Sequence, residues 1–325
     1  MDISRRSLSR RSLLKGAAAA GATVALTGRA EAAVSAVNTH GKHERPDAIG
    51  MLYDSTLCIG CRACVTKCKE ANHLPYDRSN GAIYDAPSDL SHTTKNIIKV
   101  ATSGDKSAFM KQQCMHCVEP SCVSVCMMGA LHKEGEGTRK IAGERKGTGV
   151  VLYDKDTCVG CRYCQIACAY VVPRFEWKEA FPLIVKCELC RHRADPAQNG
   201  PLAVANPACC EVCPREAVIY GRREQLLAEA KRRIAANPQR YNGRVFGEKD
   251  GGGTQVLYLA AAGMTFEELG LPKLPEESSA SFSEGVSHAP YLHGITPIAL
   301  YAAAAFVIRR NKRKEEAEHH EEGKR

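Results

Sequence analysis

Apolar and polar positions along this chain fall into short runs broken by turns, and one of those runs occurs twice. Leu52-Tyr53-Asp54-Ser55-Thr56-Leu57 leads into Cys58, and Leu152-Tyr153-Asp154-Lys155-Asp156-Thr157 leads into Cys158. The pattern predicts a strand entering a loop in both places, the mark of an internal repeat. Gly129-Ala130-Leu131 and Glu216-Ala217-Val218-Ile219-Tyr220 predict helix turns running into further short strands. Over residues 223–236, REQLLAEAKRRIAA, Leu226, Leu227, Ala230 and Ile234 share one face at helical spacing and predict a helix packed on the body. Glycines 251–253 followed by Val256-Leu257-Tyr258-Leu259 predict a turn and a strand. Residues 75–110 and 133–149 read as insertions, and the Pro-, Ser- and Glu-rich stretch 270–288 as a linker.

The two ends differ from the middle. At the N-terminus Ser9-Arg10-Arg11-Ser12-Leu13-Leu14-Lys15 precedes a mildly apolar run from Gly16 to Leu26 and the small-residue pattern Ala30-Glu31-Ala32. This matches a twin-arginine export signal over residues 1–32, followed by a flexible lead-in over 33–48. Near the C-terminus, residues 289–308 hold no Lys, Arg, Asp or Glu and are followed at once by Arg309-Arg310-Asn311-Lys312-Arg313-Lys314. A run of about 20 apolar residues ending in a basic cluster predicts a transmembrane anchor with a cytoplasmic tail over 309–325. The alternative is an amphipathic helix docked on a partner.

Charge adds little beyond this. The formal net charge is +9, but residues 1–32 carry six Lys/Arg against two acidic residues and residues 309–325 seven against five. The body is nearly balanced, with no basic stripe interleaved with aromatics, so nucleic-acid binding is disfavoured. Neither a phosphate-binding glycine loop nor a dinucleotide fingerprint is present. Activated nucleophiles and acid/base pairs are likewise missing, so the chain does not read as an enzyme on its own.

Cysteine carries the chemistry. Sixteen of the 17 cysteines fall in four groups. Cys58, Cys61, Cys64 and Cys68 read C-x2-C-x2-C-x3-C, and Cys158, Cys161, Cys164 and Cys168 repeat that spacing. Cys114, Cys117, Cys122 and Cys126 read C-x2-C-x4-C-x3-C, and Cys187, Cys190, Cys209 and Cys213 read C-x2-C-x18-C-x3-C. Three cysteines at close intervals converge on one cubane, while the fourth points elsewhere. In two-cluster ferredoxins that fourth thiolate ligates the other cluster. Sixteen such thiolates are the ligand set of four 4Fe–4S clusters. Zinc fits the fourth group alone, since the first three are too compact for paired knuckles. A set of relaxed disulfides does not fit cysteines this close together. In Ala208-Cys209-Cys210-Glu211-Val212-Cys213-Pro214 only Cys209 keeps the register with Cys213, which leaves Cys210 as a buried thiol without a metal.

These four motifs together resemble the four-cluster ferredoxin subunits of bacterial respiratory enzymes, among them the beta subunits of formate dehydrogenase and dimethyl sulfoxide reductase. The leader, residues 50–58, Lys111-Gln112-Gln113-Cys114-Met115-His116-Cys117, residues 247–257 and the C-terminal apolar run are similar to the HybA family, the ferredoxin-type component of hydrogenase-2. The resemblance implies an α+β, pseudo-duplicated bacterial-ferredoxin-like fold over residues 49–222, with a helix, strand and linker extension over 223–288. It also implies a crossed pairing. One cluster would take Cys58, Cys61, Cys64 and Cys213, and a second Cys187, Cys190, Cys209 and Cys68. A third would take Cys114, Cys117, Cys122 and Cys168, and the last Cys158, Cys161, Cys164 and Cys126. The implied function is an electron relay on the periplasmic side of the inner membrane. It would run from the small and large subunits of a nickel–iron hydrogenase to an integral-membrane quinone-interacting subunit. The same relay in a formate dehydrogenase or molybdopterin reductase is the alternative. The Pro that closes the ferredoxin motif stands only after Cys213; Lys69, Met127 and Ala169 occupy the other three places.

Overall fold

A computed structural model describes residues 47–76, 89–135, 148–177, 179, 182–193, 206–292 and 295–322. The leader, most of the lead-in, the centres of the two insertions and much of the gap inside the fourth cysteine motif lie outside these residues.

The first repeated apolar run forms β1 (Ile49–Asp54), buried at every position. Both of its faces meet apolar neighbours, so it reads as a continuous hydrophobic run. Met51 and Tyr53 face the main core, and Leu52 faces a second cluster. The second run forms β5 (Val151–Tyr153). Between them lie α1 (Ala63–Ala71), the hairpin β2 (Ile97–Ser103) and β3 (Lys106–Gln112), α2 (Ser121–Ser124) and β4 (Leu131–Lys133). After β5 come α3 (Tyr163–Ala167), β6 (Arg174–Phe175), β7 (Ile184–Val185), α4 (Ala208–Glu211), β8 (Val218–Arg222), α5 (Arg223–Ala236) and β9 (Val256–Leu259).

The repeat is visible in the pairing. β8 runs antiparallel to β1, with Met51 opposite Tyr220, and β4 runs antiparallel to β5, with Leu131 opposite Tyr153. β2–β3 and β6–β7 are the matching antiparallel pairs. Residues 97–110, part of the expected insertion, therefore belong to a hairpin whose Ile97, Ile98 and Met110 enter the main core. Among the described residues only the first half gains a third strand: β9 adds to β1 in parallel, Met51 opposite Val256. Gly50 permits this, because a Cβ there would lie 1.9 Å from the Gln255 carbonyl oxygen.

Helix α5 covers the outer face of this sheet with Leu226 and Ala230 buried and Leu227 and Ile234 packed at the margin. Its first residue, Arg223, is buried and donates to the carbonyls of Thr254 (2.6 Å), Gly247 (3.0 Å) and Glu248 (3.0 Å). These bonds tie the glycine-rich turn to the helix start.

Two expectations about the C-terminal region are corrected. Residues 270–278 are not a free linker. Leu271 is buried, Leu274 packs on the core, and Gly251 and Gly252 donate to the carbonyls of Pro275 (2.7 Å) and Glu276 (2.8 Å). The following residues form α6 (Ser279–Leu292).

The transmembrane anchor expected over 289–308 is not supported. Among the described residues no helix is long and apolar enough to cross a membrane. The reason is length: the uncharged part of α7 (Ile295–Glu322) ends at Ile308, before Arg309. At 1.5 Å per residue that part spans about 21 Å, against a hydrocarbon core of about 30 Å. The rest of α7 is strongly charged.

Candidate metal centre

Each C-x2-C-x2-C run is curled by two left-handed residues. In the first, Gly60 has φ 71° and Arg62 φ 58°; in the second, Gly160 has φ 71° and Arg162 φ 68°. The reversal turns backbone N–H groups inward. Gly60 N–H donates to Cys58 Sγ at 3.5 Å and Gly160 N–H to Cys158 Sγ at 3.4 Å. Glycine is required at position 60 for a second reason: a Cβ would lie 2.3 Å from the Phe109 ring.

Cys58, Cys61, Cys64 and Cys213 line one pocket, walled by Tyr53, Ile98, Lys111 and Val218. Cys126, Cys158, Cys161 and Cys164 line another, walled by Ala130, Phe175 and Ile184. The distal cysteine of each set is held from its own following strand region. Ala217 N–H donates to Cys213 Sγ at 3.3 Å, and Leu131 N–H to Cys126 Sγ at 3.5 Å.

The remaining eight motif cysteines form two further groups. Cys64 and Cys68 lie four residues apart on α1, yet Cys68 faces Cys209 and Cys190. Cys187 stands near Cys68, Cys190 and Cys209, and accepts from Leu189 N–H at 3.4 Å. Cys117 and Cys122 both stand near Cys114 and Cys168. The helix after the second repeat is shorter, and Cys168 lies just past its end in extended backbone. Proximity between groups sets an order: Cys64 lies within electrostatic reach of Cys209, Cys187 of Cys114, and Cys122 of Cys164. The four groups therefore form a row. Cys61 and Cys161, one at each end, are exposed, while no cysteine of the two middle groups is.

The chemistry of this donor set fits iron–sulfur clusters. Burial pushes the Cys64 thiol up to about 12, Cys68 up to about 11 and Cys164 up to about 12; neighbouring thiolates add to the rise, while the Lys111 ammonium opposes it at Cys64 and Cys68. As bare thiolates these groups would repel one another in a medium that solvates them poorly. A multi-iron cluster supplies the compensating charge. Among the described residues no group of three or more His, Cys, Asp or Glu is gathered tightly enough for a single ion. The thiols surround a space rather than a point. Cys210 donates to Cys209 and lowers its pKa, while its own thiol is pushed well above the usual range.

The surroundings hold charged groups that the cysteine spacing does not reveal. Lys69, Lys111, Lys133 and Lys186 are all buried. Lys69, in the place of a motif proline, donates to the carbonyls of Pro75 (2.9 Å) and Thr93 (2.8 Å). Lys133 donates to the Val118 carbonyl at 2.6 Å, and Lys186 to those of Val151 and Cys187. Burial disfavours the Lys111 ammonium, but the thiolates of Cys209, Cys64, Cys187 and Cys68 outweigh it and raise its pKa. His116 is buried and neutral: burial, then Lys186 and Lys133, depress its pKa, and its Nδ1 accepts from Val151 N–H at 3.1 Å. The available sequence signal was lysine inside or beside a cysteine motif, which alone does not distinguish a buried cation from a surface one.

Comparison with known proteins fits this picture. Residues 106–223 match the model of a 4Fe–4S dicluster domain, and residues 7–27 that of the twin-arginine translocation signal. The hydrogenase-2 operon protein HybA of Escherichia coli and Shigella flexneri is 40% identical over 97% of this chain and 98% of its own length. The chain belongs to the HybA family. The formate dehydrogenase-O iron–sulfur subunit of Escherichia coli is similar at 30% identity over 74% of this chain and 76% of its own. The HybA match spans the whole length, including the segments after the last cysteine motif, whereas the formate dehydrogenase match leaves about a quarter of the chain uncovered. This HybA relative is thus an iron–sulfur protein with a leader for twin-arginine export to the periplasm.

Proposed function

We propose that this chain is the electron-relay subunit of a periplasm-facing nickel–iron hydrogenase of the hydrogenase-2 type. It would take electrons from the hydrogenase small and large subunits and pass them to an integral-membrane quinone-interacting subunit. In this reading Cys58, Cys61, Cys64 and Cys213 hold one 4Fe–4S cluster, and Cys68, Cys187, Cys190 and Cys209 the next. Cys114, Cys117, Cys122 and Cys168 hold the third, and Cys126, Cys158, Cys161 and Cys164 the last. The observation that carries it is the row of four thiol groups whose two ends alone carry exposed cysteines. Each bound cluster would supply one-electron redox chemistry at potentials the protein sets.

The chain's own work is to hold the thiolates and shape their surroundings. The inward N–H groups of Gly60, Gly160, Leu189, Ala217 and Leu131 stabilise negative charge on sulfur. The apolar walls exclude water, which strengthens every nearby charge. No acid/base pair is needed, so the role is non-catalytic.

The test is anaerobic purification of the intact complex. Iron and acid-labile sulfide should reach four of each per site for four sites, and hydrogen should reduce the clusters. Iron-free material, or clusters that stay oxidised under hydrogen, overturns the proposal. The 30% identity to a formate dehydrogenase subunit keeps a second reading, the same relay in a pterin enzyme. Co-purification with a pterin-containing subunit instead of a nickel–iron one would select it.

A further inference from the structure

Lys111 is 1% exposed, and its Nζ has no hydrogen-bond partner. Among the described residues the other buried lysines, Lys69, Lys133 and Lys186, each donate to a backbone carbonyl. A buried cation is costly unless an anion compensates it. Lys111 is placed to meet one. It walls the cavity of Cys58, Cys61, Cys64 and Cys213, and also stands near Cys68, Cys187 and Cys209 of the adjoining group. It therefore lies between the first two sites of the row.

The repeat supplies an internal control. Lys111 stands three residues before Cys114, the first cysteine of the second motif. Three residues before Cys187, the first of the fourth motif, stands Ile184. Lys111 lies on β3 and Ile184 on β7, the second strands of the matching pairs, and each walls the terminal cavity of its own half. The two halves thus differ in charge at one equivalent position.

We propose that the Lys111 ammonium is a positioning charge that raises the reduction potentials of the first two sites. This rests on the four-cluster reading. A reduced site carries one more negative charge than an oxidised one, so a fixed nearby cation favours the reduced form. Lys111 lies within electrostatic reach of Cys64 in the first site and of Cys68, Cys187 and Cys209 in the second, so one cation can act on both.

The experiment is a potentiometric EPR titration of the purified complex with wild-type, Lys111→Met, Lys111→Ile and Lys111→Arg chains, each checked for iron and sulfide. The two neutral variants should lower two of the four midpoints and leave the others in place. The shift should be at least tenfold in reduced-to-oxidised ratio at fixed potential, which for one electron is 59 mV. Lys111→Arg should restore the wild-type midpoints. Unchanged midpoints in fully loaded Met or Ile variants overturn the proposal, as do equal shifts of all four. If the neutral variants lose iron, Lys111→Arg and the local double variant Lys111→Arg/Ile98→Val decide: retained iron with wild-type midpoints supports a charge role, and a fall despite the retained charge overturns it. A wild-type complex short of four clusters would fail the four-cluster reading itself, which iron analysis detects separately.

Discussion

A single residue separates two adjacent thiols with different roles. Cys209 is buried among Cys64, Cys68, Cys187 and Cys190, while Cys210 is only half-buried and hydrogen-bonds to it. Cys210→Ser keeps a donor of similar size beside Cys209, so iron content and EPR signals should stay at wild-type levels. Cys209→Ser should cost one cluster's worth of iron. Equal loss in both variants would show that the register is shared. Spacing alone favours Cys209, because the C-x3-C interval to Cys213 admits only one of the two. The buried lysines were not legible, since a lysine's sequence neighbours do not show whether its ammonium meets water or a cluster.

Among the elements, α5 shows how the extension supports the first half. Its bounds follow from pattern: an apolar stripe at helical spacing, begun by Arg223, whose guanidinium is used up by three carbonyls of the glycine turn. Leu226 is 5% exposed and faces Leu52, Leu257 and Leu259. Leu226→Ala should destabilise the protein by about 2–5 kcal/mol, the usual cost of a core Leu deletion. Denaturant unfolding under anaerobic conditions would measure it, and EPR spectra of the folded variant should be unchanged because no cluster wall is touched. The hairpin β2–β3 was read as an insertion because nothing local marks it as core. Its burial depends on Ile97, Ile98 and Met110 meeting residues far away in sequence. The C-terminal apolar run misled in the opposite direction: composition counted residues across two helices, whereas spanning a bilayer requires one continuous helix of sufficient length.

For the whole molecule, the leader sets the export route. The twin-arginine signal matched over residues 7–27 belongs to a chain whose sixteen motif cysteines suit loading in a reducing compartment. Replacing Arg10 and Arg11 together with Lys should leave iron-loaded chain in the cytoplasmic fraction, with little in the periplasmic and membrane fractions. Unimpaired export of the double variant would mean that Arg5-Arg6, the other pair, serves as the signal.

The four closely spaced cysteine motifs and the duplicated plan are legible in the sequence alone, because cluster ligation demands fixed short spacings that survive any fold. The order of the four groups in a row, the exposure of only the two end groups and the placing of Lys111 between the first two were decided by tertiary structure. Those features depend on the approach of segments far apart in sequence, such as those of Cys64 and Cys209, and no local pattern encodes a distance through space.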